Sequence, residues 1–147
     1  MFWQNSKPCT CIVLENDHDE VLLCVRGGEP EKGKLDLPGG FLNWREHPHD
    51  AIHREIREEL GVQIEILAFL GFVIDAYDNE EVATLNIPFY GRIVSGTPTA
   101  NDDVAAIQWA RLEDIDRDQL AFQNNRTILF DLFAGQRAGL KKSRMEE

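Results

Sequence analysis

The stretch from Pro48 to Leu60 constrains this chain more than any other, because its ends and its faces are specified together. His47 stands where an N-cap falls, Pro48 suits the first helical position, Asp50 adds favourable charge to the first turn, and Gly61 is a natural left-handed terminator. At about 100° per residue, Ile52, Ile56 and Leu60 make an apolar stripe for a core. His53, Arg54 and Arg57 form a basic side, and Glu55, Glu58 and Glu59 line a strip beside the apolar one. Carboxylates spaced in this way cost a few tenths of a kcal/mol per pair on an exposed helix, and more where apolar surroundings exclude water. Two compensations are open. One is a solvated face neutralised by Arg54 and Arg57. The other is a hard cation, Mg²⁺ or Mn²⁺, which binds carboxylate oxygens, keeps waters and takes phosphate oxygens as further ligands.

A chain of 147 residues, 43% of them hydrophobic, is long enough for one domain whose core hides about two thirds of the extended surface. Set against 26 acidic residues, 15 Lys and Arg leave a net charge of −11, which repels polymeric nucleic acid and anionic membrane surfaces. A small anion stays compatible with that charge if a cation faces it. Cys9, Cys11 and Cys24 fit neither a disulfide framework nor a four-cysteine zinc site and read as reduced thiols. With no secretory signal at the start, they point to a cytoplasmic protein. His47, His49 and His53 invite a zinc reading, but without thiols beside them capping and solvent exposure account for them.

Along the chain, Met1 to Pro8 is a polar lead-in. Cys11 to Leu14 and Val21 to Val25 read as a hairpin around Asn16, Asp17 and Asp19. Gly27 to Lys34 has the composition of a mobile surface loop. Leu35 to Pro38 is a short extended piece ending in Gly39 and Gly40, and a tight loop follows up to Glu46. Val62 to Ile74, Ala83 to Val94 and Val104 to Ala110 are further strands, with Ala76 to Glu81 as a turn between the first two. The apolar run from Ile66 to Ile74 is too short to cross a bilayer and reads as buried strand. Asn125 to Phe133 has the spacing of a second amphipathic helix, and Lys141 to Glu147 is expected to be a disordered tail. This order implies an α/β fold, a mixed sheet covered by helices, in a single domain.

Gly40, Glu46, Arg54, Glu55, Ile56, Glu58, Glu59, Gly61 and Val62 reproduce the Nudix box, G-x5-E-x7-R-E-U-x-E-E-x-G-U with U apolar, at every specified position. Seven of these positions demand a single residue type, so a chance match at a given start is on the order of one in 10⁸. The chain thus resembles the Nudix hydrolase superfamily, and Leu37, Pro38 and Gly39 extend the likeness. The resemblance implies a Nudix-type α/β/α sandwich and a Mg²⁺-dependent hydrolase, with Mn²⁺ as the other candidate cation, that cleaves a diphosphate bond. By the same resemblance Glu55 and Glu59 are the main metal ligands, with Glu58 and the carbonyl of Gly39 as further ligands. Glu46 and Arg54 orient the cluster, and Gly40 permits the tight loop. The resemblance counts Glu58 among the catalytic residues and leaves the general base open between Glu55 and Asp103, the latter lying ahead of a strand that ends in Trp109. Asp103 also reads as part of an ordinary Asn101, Asp102, Asp103 turn.

The loop departs from the common family pattern at Asn43 and Arg45. Trp44 and Arg45 are candidates for contact with a base or phosphate, and equally for packing or surface roles. Arg26, a further candidate substrate contact, resembles with Glu29, Pro30 and Gly33 the branch related to NADH pyrophosphatases, but the expected zinc ribbon and the Pro- and Trp-rich stretch of NADH specificity are not found in the sequence. Members acting on ADP-ribose often carry a proline soon after the box, whereas the first one here is Pro88; Tyr77, nearer that place, is a candidate to stack on a base. The expected substrate is a small nucleoside diphosphate derivative of the ADP-ribose, NADH, dinucleoside polyphosphate or nucleotide sugar class. A (d)NTP pyrophosphohydrolase and a non-catalytic nucleotide-sensing module are the alternatives, and a homodimer is compatible with the sequence.

Overall fold

A computed structural model describes residues 4–77 and 82–145, with the side chain of Tyr77 outside the described part. The described residues form eight strands: β1 (Lys7–Leu14), β2 (Glu20–Arg26), β3 (Leu35–Asp36), β4 (Gly39–Phe41), β5 (Gln63–Phe69), β6 (Val73–Tyr77), β7 (Val82–Ser95) and β8 (Val104–Arg111). Helix α1 spans Pro48–Leu60. Helix α2 runs end to end through Gln123–Arg126, a π-helical segment Thr127–Phe133, and Ala134–Met145. One sheet is mixed, in the order β4-β1-β7-β5 with β6 also on β7; the other is antiparallel, in the order β3-β2-β8.

The expected α/β/α sandwich is present. Side chains alternate along a strand, so Ile12 and Leu14 of β1 and Leu22 of β2 pack with Ile52, Ile56 and Leu60 of α1. Val13, Val21 and Leu23 pack on the other side with Ile128, Leu129 and Phe133 of α2. Ile52, Ile56 and Leu60 are fully buried, each contributing about 2 kcal/mol relative to exposure. The helix boundaries match the sequence reading: the His47 side chain accepts from the His49 N–H, and Gly61 ends α1 at φ 69°.

Several expectations are corrected. β1 and β2 are not a hairpin. β1 pairs in parallel with β7 along its whole length, β2 pairs with β8, and a single bridge between Glu15 and Val21 joins their ends. The connecting turn, in which Asn16 Oδ1 accepts from the N–H groups of His18 and Glu20, lets β2 leave the plane of β1. The extended piece expected to end in Gly39 and Gly40 is two strands in different sheets: β3 pairs with β2, and β4, which begins at Gly39, pairs with Cys9–Cys11. The stretch from Val62 to Ile74 is two strands, broken where Gly71 takes φ 123°. Both halves pair with the one long strand β7, and Phe69, Phe72 and Ile74 are exposed. The turn expected from Ala76 to Glu81 begins inside β6, and residues 78–81 lie outside the described part.

The tail expected to be disordered is helical through Met145. Its anchor is Glu15, a buried carboxylate at the end of β1. Tyr90 Oη donates to it at 2.8 Å and Arg137 Nη2 at 2.8 Å. Arg144 donates to the Glu15 carbonyl and to Tyr90 Oη, and Lys141 pairs with Asp19 at 2.7 Å. A carboxylate buried without these partners would be costly, so the sheet and the end of α2 order one another. No helix of the described residues is long and apolar enough to cross a membrane.

Candidate active site

Gly39 and Gly40 sit at the edge of the mixed sheet, and α1 passes directly across them. Gly39 takes φ 151°, and an added Cβ there would overlap the Thr10 carbonyl and lie 2.6 Å from Cys11 Cα. Its N–H donates to Glu59 Oε1 at 3.0 Å. A Cβ on Gly40 would stand 2.5–2.7 Å from the three carboxyl atoms of Glu55. The glycine pair therefore forms a cradle into which two carboxylates of the helical strip point.

Arg54 ties the cluster together. Its Nε and Nη2 each donate to Glu46 at 2.9 Å, the two-pronged geometry of strong carboxylate pairs. Nη1 donates to Glu55 at 2.9 Å and to Glu58 at 3.2 Å, and Nη2 also reaches the Phe41 carbonyl. Glu46 in turn accepts from the Asn43 N–H at 2.9 Å. The Arg54 hydrogen bonds, with that N–H, hold the Glu46 carboxyl down to about 2. Glu59 moves the other way: burial first, then the nearby Glu55 charge, push its carboxyl up to about 8. Glu55 is also raised, chiefly by burial. Glu58 is the exposed member of the strip.

These carboxylates open onto a cavity of about 890 Å³, within the range of small-molecule sites. Asp103 lines it, and the Asp103 carbonyl accepts from the Gly27 N–H at 2.8 Å. The neighbouring Asp102 also lines it and contributes to the rise at Glu59. The Asn101 N–H donates to the Glu59 carbonyl at 2.9 Å, which fixes this acidic turn to the end of α1. Arg26 lines the far end and pairs with Asp36 at 2.9 Å. Trp44 and Arg45 stand outside: Trp44 is 88% exposed, with the Arg45 guanidinium 5.4 Å from its ring centroid, and neither lines the cavity. Tyr77 ends β6 opposite Val82, so its backbone borders a cavity-lining residue.

The far end holds residues the sequence reading missed. Asn125 Nδ2 donates to Asp36 at 2.9 Å and to Asn124 Oδ1 at 3.2 Å, and Asn124 Nδ2 donates to Asp75 at 3.1 Å. Phe122 lies beneath Arg26, and Cys9, Thr84 and Asn86 make a neutral floor. The run of amides Gln123, Asn124 and Asn125 at the start of an amphipathic helix was the one available signal. The three cysteines are free, as expected, and all line the cavity. Burial raises each thiol, Cys9 to about 11, so they stay protonated at neutral pH.

The family model described as the NUDIX domain matches residues 6–132. An ADP-ribose pyrophosphatase of Methanocaldococcus jannaschii is 29% identical over 79% of this chain and 67% of its own length. The NAD-capped RNA hydrolase NudC of Pseudomonas putida is 26% identical over 88% of this chain and 45% of its own. Across the curated relatives the chain spans 40–67% of their length. The crystal structure of a MutT NUDIX hydrolase from Burkholderia pseudomallei superposes with a TM-score of 0.78 at 26% identity, over 86% of this chain and 97% of the other. Box, fold and family match agree, and the chain belongs to the Nudix family.

Proposed function

We propose that this chain is a Mg²⁺- or Mn²⁺-dependent hydrolase that cleaves the diphosphate bond of a nucleoside diphosphate joined to a second moiety. ADP-ribose, NADH, dinucleoside polyphosphates and nucleotide sugars form the substrate class, and the resemblance to an ADP-ribose pyrophosphatase supports it. The observation that carries the proposal is the approach of Glu55 and Glu59 to the Gly39–Gly40 cradle at the mouth of a nucleotide-sized cavity. Two carboxylates whose proton affinity is raised by burial and by neighbouring carboxylates, Glu58 and Glu46 at Glu55 and Glu55 at Glu59, suit a divalent cation, which removes the repulsion that a proton otherwise relieves. Glu55, Glu59 and the Gly39 carbonyl would hold it, with Glu58 as a further ligand. When bound, such a cation neutralises the diphosphate and lowers the pKa of its bound water.

The chain's own residues do the rest. Arg54, fixed by Glu46, holds Glu55 and Glu58 in place. Glu55 or Asp103 takes the proton of the attacking water, with the Asp103 backbone fixed by its carbonyl accepting from the Gly27 N–H. Free thiols and the absence of a spanning helix among the described residues support a cytoplasmic setting, and the match over residues 6–132 supports one domain.

The test incubates purified protein with Mg²⁺ or Mn²⁺ and each of ADP-ribose, NADH, a dinucleoside polyphosphate, a nucleotide sugar, ATP and dGTP, with products resolved by chromatography. Cation-dependent release of two phosphate-bearing products, abolished by chelator, is the expected result. Turnover of triphosphates alone would make the protein a (d)NTP pyrophosphohydrolase, and tight nucleotide binding without turnover would make it a sensing module. In the same assay Arg54→Lys should lower kcat/KM by about 10-fold or more, because an ammonium keeps the charge but cannot span Glu46 and Glu55 together. Unchanged kinetics in a folded variant would remove Arg54 from the site.

A further inference from the structure

The far end of the cavity has a feature that the acidic end does not explain. Arg26 is the only cation among the described residues lining the cavity, against seven carboxylates: Glu29, Asp36, Glu55, Glu58, Glu59, Asp102 and Asp103. It is not free to chase an anion. Nη1 is held by Asp36 at 2.9 Å, Nε donates to the Pro30 carbonyl at 2.8 Å, and the guanidinium rests 4.8 Å from the centroid of Phe122. Asp36 is itself held by Asn125 at 2.9 Å, so the clamp on Arg26 is fixed from behind. The Arg26 side chain nevertheless remains 24% exposed within the cavity wall.

A lone cation whose charge is already matched by a carboxylate is a poor receptor for a terminal phosphate. A planar guanidinium locked over an aromatic ring is a good receptor for another flat ring, because it offers a delocalised, weakly hydrated face with little orientational freedom left to lose. Elsewhere in the lining, Cys9, Thr84 and Asn86 carry no charge: Asn86 accepts from the Cys9 thiol at 3.0 Å and donates to Thr84 at 2.9 Å. The thiol stays protonated and the amide is fixed. With the one cation already matched by Asp36, this end suits an uncharged planar group, which would leave the diphosphate of the proposed substrate toward Glu55, Glu58 and Glu59.

We infer that Arg26, clamped by Asp36 and backed by Phe122, is a stacking platform that selects substrates carrying an uncharged aromatic ring beyond the diphosphate, and that the cavity disfavours a terminal phosphate at that end. This inference rests on the hydrolase reading for its kinetic test, but it also predicts binding. The kinetic readout is the ratio of kcat/KM for ADP-ribose to that for ribose 5-diphosphate, which has a diphosphate bond and no base. Arg26→Lys and Phe122→Leu should each lower this ratio about tenfold, since the first keeps charge and stem but loses the plane, and the second keeps bulk but removes the ring.

A general folding defect lowers both rates and leaves the ratio unchanged, so an unchanged ratio in both variants overturns the inference. A ratio preserved in Arg26→Lys alone also overturns it, because charge rather than a flat face would then be the determinant. If the wild-type protein turns over neither compound, the hydrolase reading fails, and calorimetric affinities for ADP-ribose and ribose 5-diphosphate, compared between wild type and Arg26→Lys, give the corresponding ratio without catalysis. Equal affinities for the two ligands in the wild type would overturn the platform independently.

Discussion

Replacing Glu59 by glutamine is expected to lower turnover by about 100-fold or more, equivalent to about 2.7 kcal/mol in the barrier, while making the cation-free protein more stable above neutral pH. The two effects have one cause. Burial and the Glu55 charge raise the Glu59 carboxyl from its ordinary 4.5 to about 8 in the folded chain. A carboxyl that holds its proton more tightly when folded stabilises the native state in its protonated form. The stability that this group contributes to the wild type therefore falls as pH rises from about 4.5 to about 8 and levels off beyond. Glutamine is a permanent mimic of the neutral acid, and its Oε1 still accepts from the Gly39 N–H. Thermal midpoints in chelator at pH 5.5, 7 and 8.5 should thus decline more steeply in the wild type than in Glu59→Gln. Mg²⁺ should restore the wild-type midpoint at the highest pH and leave the variant almost unmoved. Parallel decline in the two proteins, or near-normal turnover in Glu59→Gln, would overturn the ligand role.

That the strip could be read from the sequence at all follows from the regularity of a helix. Periodicity fixes which side chains share a face, so Ile52, Ile56 and Leu60 could be assigned to the core, and Glu55, Glu58 and Glu59 to one side, before any contact was known. The caps at His47 and Gly61 are equally local and equally legible. Strand partnership is a long-range property, and there the sequence was mute. Nothing within Cys9–Leu14 announces that it lies parallel to β7, far along the chain, rather than beside β2. The far end of the cavity was hidden for the same reason. Asp36, Phe122 and Asn125 come from a two-residue strand and from the start of α2, and only tertiary folding brings them to Arg26. The helical tail was misread because Lys141 and Arg144 look like solvated charge until Glu15, Asp17 and Asp19 are placed beside them.

The adjacent glycines of the cradle should separate stability from chemistry. At Gly39 an alanine Cβ would meet the Thr10 carbonyl, Cys11 Cα at 2.6 Å and the Thr10 carbonyl carbon at 2.9 Å, all of them backbone atoms of β1. β1 is held on its other side by its pairing with β7 and cannot retreat without breaking it. The positive φ of 151° adds backbone strain to the overlap. Together they should destabilise Gly39→Ala by about 2–5 kcal/mol, a drop in thermal midpoint of roughly 5–15 °C for a chain of this size. At Gly40 the obstruction is the Glu55 carboxyl group, the end of a side chain that can swing away. Gly40→Ala should therefore keep a midpoint within a few degrees of wild type. Its turnover should still fall by about 10-fold to 100-fold, because Glu55 is displaced from the cradle and from its 2.9 Å bond with Arg54. Calorimetric unfolding and an activity assay on both variants decide the matter. A stable Gly39→Ala, or a fully active Gly40→Ala, would show that the glycines do not hold the helix carboxylates in the way this geometry requires.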